Sequence, residues 1–261
     1  MLNETLRQEA AHQLLQAERI GKPLPRLSDT YPEMDIEDAY DVQLKVVAMK
    51  VEAGARVRGY KIGLTSKAMQ DAVGISEPDF GHLFEDMFHA DGARLSASRY
   101  HAPRLEVELA FVLNRRLKGP GVTVSDVLSA TEHVVPALEL IDSRTVLPRK
   151  FVDTLADNAA SAGVVMGGRP VRPMDVDLRW LGAVVYKNAV IEDSGMSAAV
   201  LGHPANGVAW LANRLGERGV CLEPGQVLLG GSFTRPLAAA AGDIFHVDYG
   251  PLGGIAVGFT E

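Results

Sequence analysis

The chain has 261 residues, 47% of them hydrophobic and 23% charged, which suits a single sizeable core and excludes low-complexity and membrane-spanning classes. Its 33 acids against 26 Lys and Arg give a net charge of -7, and with no basic run to offset it a nucleic-acid partner is excluded. Cys221 is the only cysteine, and the N-terminus lacks the apolar stretch of a signal peptide, so the expected location is cytoplasmic, with no disulfide and no membrane contact.

Leu6, Ala10, Leu14, Leu15 and Ala17 recur at helical spacing and predict an amphipathic helix over 3–20, stopped by Gly21, Pro23 and Pro25. A second helix is expected over 36–53, opened by Asp35 as N-cap, with Ala39, Val42, Val46 and Met49 inward and Gly54 at its end. Residues 1–55 thus read as a helical N-terminal segment, and 56–261 as the core of the same single domain. A strand over 57–62 leads into Gly63-Leu-Thr-Ser66 and a short helix over 67–73. Lys61, between Tyr60 and Ile62, is either a partly desolvated amine with a lowered pKa, equipped for proton transfer, or a snorkelling lysine with its charge in water. Ser76-Glu-Pro-Asp-Phe-Gly-His82 reads as a turn-rich loop in which Asp79, by itself, is a turn former.

In the stretch 103–113, Leu105, Val107, Leu109, Phe111 and Leu113 alternate as one face of a strand, which puts Glu106 and Glu108 together on the other, roughly 7 Å apart. That second face continues apolar with Ala110 and Val112. The carboxylates are therefore expected at the mouth of a buried site, where a cation or hydrogen bonds must compensate them. After the loop Gly119-Pro-Gly121, a helix is expected over 124–132, begun by Thr123 or Ser125. Glu139 is a third lone acid, inside the apolar run Val135-Pro-Ala-Leu-Glu-Leu-Ile141. Three carboxylates with no Cys or His cluster suit a hard ion such as Mg²⁺ or Mn²⁺. Spacing alone also allows the commoner alternative, an edge-strand face paired with surface Lys or Arg.

A charged loop is expected over 143–150, and Asp157-Asn-Ala-Ala-Ser-Ala-Gly163 is rich in small residues that permit either close approach to a ligand or tight packing. A hairpin is predicted from 178–186 and 189–193 around Lys187-Asn188. Pro204 opens an amphipathic helix with Val208, Leu211, Ala212 and Leu215 inward, and strands follow over 226–230, 244–249 and 254–259. Arg235 falls on the loop Gly231-Ser-Phe-Thr-Arg-Pro236. No His-x-x-x-His, Gly-x-Ser-x-Gly or Walker pattern is present.

Taken in order, Gly59-Tyr-Lys-Ile-Gly-Leu-Thr-Ser66, Glu77-Pro-Asp-Phe-Gly81, Pro103-Arg-Leu-Glu-Val-Glu108, Pro136-Ala-Leu-Glu-Leu-Ile-Asp-Ser-Arg144 and Asp157-Asn-Ala resemble the 2-oxo acid hydratases of meta-cleavage pathways and the related 4-oxalocrotonate decarboxylases. The resemblance spans nearly the whole chain. It implies an α+β fold like the C-terminal domain of fumarylacetoacetate hydrolase, a mixed β-roll flanked by helices, here with the N-terminal helical segment. It also implies Mg²⁺ or Mn²⁺ on Glu106, Glu108 and Glu139, Lys61 and Asp79 as acid–base residues, and Leu64, Thr65 and Ser161 as substrate contacts. With the apolar stripes of the N-terminal helices it implies a homo-oligomer, a pentamer or decamer.

Ser76-Glu-Pro-Asp-Phe, Asn206-Gly-Val-Ala-Trp, Gly230-Gly-Ser-Phe-Thr-Arg-Pro236 and Phe245-His-Val-Asp-Tyr-Gly250 are most similar to the members that hydrate a seven-carbon dioate. The segment between Arg144 and Asp153 is closer in length to that of pentenoate hydratases and decarboxylases. The implied activity is addition of water at C4 of a 2-hydroxydienoic or 2-oxo acid, giving 4-hydroxy-2-oxoheptane-1,7-dioate. A hydratase of the five-carbon pentadienoate and a 4-oxalocrotonate decarboxylase remain as alternatives, because both use the same metal and enolate. Carbon–carbon bond hydrolysis ranks lower, since its His-Glu pair has no clear match, and an idle partner subunit would need none of the five charged site residues. Arg235 is expected to meet the dioate's second carboxylate, or else to pair with Asp243.

Overall fold

In the computed structural model, which describes residues 1–261 apart from the side chains of Ala68, Ala72 and Val73, Asn3 accepts from the Leu6 N–H to start helix α1 (Glu4–Ile20). Gly21 closes that helix in the left-handed region. One turn, α2 (Leu27–Thr30), precedes α3 (Ile36–Glu52), where Asp35 and Asp38 form a reciprocal capping box. The two long helices pack on each other and bury Ala10, Ala11, Leu14, Ala39, Val42 and Val46. Their apolar stripes, expected from the sequence to serve as scaffold or subunit contact, pack here within the chain.

Then follow β1 (Val57–Gly63), α4 (Lys67–Val73), β2 (Asp79–Phe84), β3 (Phe88–Ala90), β4 (Ala93–Ser96), β5 (Arg104–Leu113), α5 (Val124–Ala130), β6 (Thr131–Ile141), α6 (Phe151–Ala156) and β7 (Ser161–Met166). The chain ends with β8 (Gly182–Lys187), β9 (Val190–Met196), α7 (Ala205–Glu217), β10 (Val227–Leu229), β11 (Leu237–Ala238), β12 (Ile244–Asp248) and β13 (Gly254–Thr260). One sheet runs β2-β1-β10-β5-β6-β7-β3, with β11 also on β5, and the other runs β4-β13-β12-β8-β9. The β1–β10, β3–β7 and β4–β13 pairs are parallel and the rest antiparallel, which is the mixed α+β architecture expected. Among the described residues no helix is long and apolar enough to cross a membrane.

Several expected boundaries move. The loop expected over 76–82 becomes strand at Asp79, because antiparallel pairing with β1 and burial along all of β2 override the Pro-Asp-Phe-Gly turn chemistry. Helix α5 stops at Ala130 as β6 begins, and the first hairpin strand starts only at Gly182. The hairpin itself turns on Asn188 and Ala189, both left-handed, the geometry that matches the twist of the flanking strands.

Strand β5 is buried on both faces. Leu105, Val107, Leu109, Phe111 and Leu113 join the main core, while Ala110 joins a smaller one with Leu83, Val135, Ala137, Val164, Val227 and Leu229. Each large side chain so buried stabilises the fold by about 2 kcal/mol, so a one-residue slip, which would swap the faces, is strongly disfavoured. Glu106 and Glu108 are therefore held on the small-core side. Tyr249 donates to the Ala137 carbonyl (2.7 Å) and ties the segment after β12 to β6. The buried Gln43 amide of α3 donates to the carbonyls of Phe80 and Leu155, which fixes the start of β2 beside α6.

The β1–β10 pairing demands glycine at 59, where an added Cβ would lie 1.8 Å from the Val227 carbonyl oxygen. Gly59→Ala must part the two strands, at a cost of about 3 kcal/mol. Thermal unfolding should show a midpoint lower by about 6 °C, and an unchanged midpoint would refute this account of the sheet.

Candidate metal centre and active site

The β5–β6 register sets Glu106 directly opposite Glu139, with Glu108 opposite Ala137. Like charges so placed repel. One carboxylate oxygen from each of the three glutamates lies within 4.8 Å of the others, with Glu108 and Glu139 fully buried and Glu106 half-buried. Glu108 Oε2 accepts from the Gly231 N–H (2.8 Å) and Glu139 Oε2 from Lys61 Nζ (3.0 Å), while the Oε1 atoms of both glutamates are buried without a partner. Burial pushes Glu108 well above the usual carboxylate range, reinforced by Glu139 and Glu106. It raises Glu139 to about 7, against the pull of Lys61. Two orphaned, buried oxygens in a cluster of hard donors fit a divalent cation. The structure thus brings together the three glutamates singled out in the sequence.

Lys61, in β1 between Gly81 of β2 and Leu229 of β10, is 3% exposed. It does not snorkel. Burial alone would lower its pKa, but Glu139, Glu106, Asp79 and Glu108 more than offset that and raise it. The lowered lysine pKa considered from the sequence is thus reversed, because its acidic surroundings come from strands distant in sequence. Asp79 opens β2 opposite Gly63, where a Cβ would lie 2.2 Å from its Oδ1. Its pKa is pushed up to about 6, chiefly by burial, with Lys61 pulling it back.

Leu64 leaves β1 in the left-handed region (φ 53°), and its carbonyl accepts from Gln70 Nε2. Buried Thr65 stands against Gly231, the residue whose N–H reaches Glu108. Ser161 Oγ is buried without a partner next to Gly81, which pairs with Lys61. Its position follows a turn in which Asn158, Ala159 and Ala160 are all left-handed (φ 51°, 48° and 66°). Each such non-glycine residue costs roughly 1 kcal/mol. Compensation comes from the Asn158 side chain, which accepts from the His82 N–H (2.7 Å) and donates to the His82 carbonyl (2.9 Å).

Arg235 stands apart from this cluster. Its guanidinium is 59% exposed and pairs with Glu192 (2.7 Å) and Asp193 (3.6 Å) of β9, not with Asp243, which takes Lys187 instead. Sequence reasoning missed His82, lowered to about 4 by burial, and Arg149, a mostly buried cation that pulls on Asp79. The signal for His82 was the alternation of β2 once that segment is read as strand. For Arg149 it was only the basic character of 143–150.

Comparison with known proteins bears on the family and the fold. Residues 53–259 match the fumarylacetoacetate (FAA) hydrolase C-terminal family. The chain is 54% identical to a 2-oxo-hept-4-ene-1,7-dioate hydratase of Escherichia coli over 96% of each chain, and 43% identical to a 2-hydroxyhexa-2,4-dienoate hydratase of Comamonas testosteroni over 95% of each. The structure of a 4-oxalocrotonate decarboxylase from Pseudomonas putida G7, complexed with magnesium and adipate, superposes with a TM-score of 0.96 at 35% identity over 99% of both chains. On family match, full-length relatives and fold together, the chain belongs to the fumarylacetoacetate (FAA) hydrolase C-terminal family.

Proposed function

We propose that this chain is a divalent-metal-dependent hydro-lyase of aromatic meta-cleavage catabolism, the homoprotocatechuate branch, that converts 2-hydroxyhepta-2,4-diene-1,7-dioate, through its 2-oxo form, into 4-hydroxy-2-oxoheptane-1,7-dioate. What carries the reading is the buried meeting of three ligand-type carboxylates with a protonated lysine and a near-neutral aspartate, in a chain 54% identical along its length to the Escherichia coli hydratase.

Glu106, Glu108 and Glu139 would hold Mg²⁺ or Mn²⁺. Such an ion, when bound, supplies Lewis acidity at the substrate's 1-carboxylate and 2-oxygen. The chain's own groups move the protons. Protonation of the dienol at C5 and loss of the 2-hydroxyl proton give a conjugated enone, and water then adds at C4 with a proton delivered to C3. Lys61, kept protonated by its four acidic neighbours, serves as the acid of the pair, and Asp79, with its pKa near 6, takes up and returns a proton near neutral pH. Leu64, Thr65 and Ser161 would border this space, and the unpartnered Ser161 hydroxyl would be free to orient substrate or water.

A homo-oligomer, a pentamer or decamer in the cytoplasm, completes the proposal. Exposed Trp180, Val190, Ile191 and Met196, around and on β8 and β9, offer apolar surface for subunit contact. Light scattering should give a mass several times that of one chain, and a stable monomer would reject the assembly.

Loss of dienol absorbance with product identification decides the reaction. The seven-carbon dioate should yield the 4-hydroxy-2-oxo dioate, whereas CO₂ release from 4-oxalocrotonate in its place would assign the chain to the decarboxylases. Glu108→Gln removes one ligand charge and almost no volume, so it should leave the fold intact and lower kcat/KM by about 100-fold or more. Metal binding should also be linked to protons. Because Glu139 is raised from 4.5 to about 7, the folded chain between those values holds protons that the unfolded chain has lost, and this contribution to metal-free stability falls as pH rises through that window. The ion needs those protons removed. The gain in Tm on adding Mg²⁺ or Mn²⁺ should therefore grow from about pH 5 to about pH 7.5, and a gain independent of pH would count against these ligands.

A further inference from the structure

Taking the seven-carbon dioate of the proposed function as substrate, we propose that Arg149 binds the carboxylate at its far end, in a cleft one strand period along β5 and β6 from the glutamate cluster. The register places it there. Glu106 pairs with Glu139, and the next residues on the same face, Arg104 and Ile141, pair with each other. Those two line a cleft of about 490 Å³ together with Leu147, Pro148, Arg149 and Pro236. Two residues of strand advance about 6.6 Å, and a seven-carbon chain built of C–C bonds near 1.5 Å reaches about 7 Å from its first carbon to its last. A substrate whose 2-oxo acid end meets the divalent ion that the glutamates would hold thus brings its second carboxylate to this cleft, while a five-carbon monoacid stops short and has no charge to offer.

The charge balance of the cleft calls for an anion. The Arg149 side chain is only 15% exposed, and among the described residues its one hydrogen-bond partner is Asp157 Oδ2, at a long 3.4 Å. Both Asp157 oxygens are already engaged by Arg144, through its backbone N–H and its Nε. Most of the five donors of the Arg149 fork therefore lack a protein partner, and the one carboxylate beside it is shared with Arg144. Asp142 lines the same cleft but directs its oxygens at the backbone N–H groups of His101 and Ala102. Arg149 also acts on the active-site side, since its charge lowers the pKa of Asp79. Arg104, exposed at the rim, adds a second positive charge, and Ile141, Leu147 and the two prolines give apolar walls for the intervening methylenes. At Arg235, by contrast, a substrate carboxylate would have to displace Glu192 in water.

The test compares two unreactive inhibitors of equal length, 2-oxoheptanedioate and 2-oxoheptanoate, which differ only in the distal charge, alongside kcat/KM for the seven-carbon dioate and for 2-hydroxypenta-2,4-dienoate. Wild type should bind the dioate inhibitor more tightly. In Arg149→Ala that preference, and the dioate-to-pentadienoate ratio of kcat/KM, should fall by about 30-fold, as for a desolvated bidentate charge pair. Arg149→Lys keeps the charge without the fork and should lose about 5-fold, so it carries the test if the alanine variant does not fold. Arg235→Ala should leave both ratios unchanged. Unaltered ratios in Arg149→Lys and in any folded Arg149→Ala would overturn the assignment, as would a collapse of the preference in Arg235→Ala. Failure of the hydratase reading is distinct, because it appears in wild type as CO₂ release or as a preference for the pentadienoate.

Discussion

Four carboxylates and one ammonium share a space from which water is largely excluded: Glu106, Glu108, Glu139 and Asp79 around Lys61. An unbalanced charge of this kind cannot be buried in full ionisation, so the protein must either retain protons or admit a cation. The upward shifts of Glu108, Glu139 and Asp79 are the first response, and the orphaned oxygens of Glu108 and Glu139 prepare the second. Lys61 contributes to both, as the counter-charge that limits the shift of Glu139 and as a donor held in place by it.

The fold supplies the force that keeps these groups together. Burial of five large residues on one face of β5 outweighs the repulsion between Glu106 and Glu139 on the other, and the close approach of β1 to β10 at Gly59 brings Lys61 into the same row as Leu229 and Ala110. Packing on the main-core face thereby positions chemistry on the other. The left-handed turn at 158–160 shows the same division of labour, since the strain of three non-glycine residues is offset by the amide of Asn158 gripping β2.

Much of this was legible in the sequence because it depends on local periodicity. Helices α1 and α3 announced themselves through caps and apolar spacing, and β5 through alternation that already separated the glutamates from the core residues. What escaped depends on partners far along the chain. Strand β2 hid behind Pro-Asp-Phe-Gly because only its pairing with β1 makes it extended. The two-residue β11 and the three-residue β3 are too short to show a period. The direction of the Lys61 shift required knowing that β2, β5 and β6 all bring acids to it. For the cations, neighbouring residues gave no ranking: Arg235 lies in a glycine-rich loop that resembles a binding loop yet faces water, and Arg149 lies in a basic stretch that resembles a solvated one yet faces inward.

With the distal carboxylate seated as proposed in the cleft beside Arg104 and Ile141, the sheet would act as a ruler with coarse divisions. Anchors fixed to β5 and β6 can be relocated only by two residues at a time if they are to keep facing the same way, a jump of about 6.6 Å, whereas homologous substrates lengthen by single carbons of little more than 1 Å each. Fine adjustment of chain length is thus beyond the reach of strand substitutions. It would fall to the 143–150 segment, which lies outside the strands and can present a guanidinium without disturbing the register that holds the glutamates. Since this chain keeps a segment of the length found in pentenoate hydratases, a longer substrate would be met here by the residue that the segment carries at position 149, while the strands beneath it stay the same.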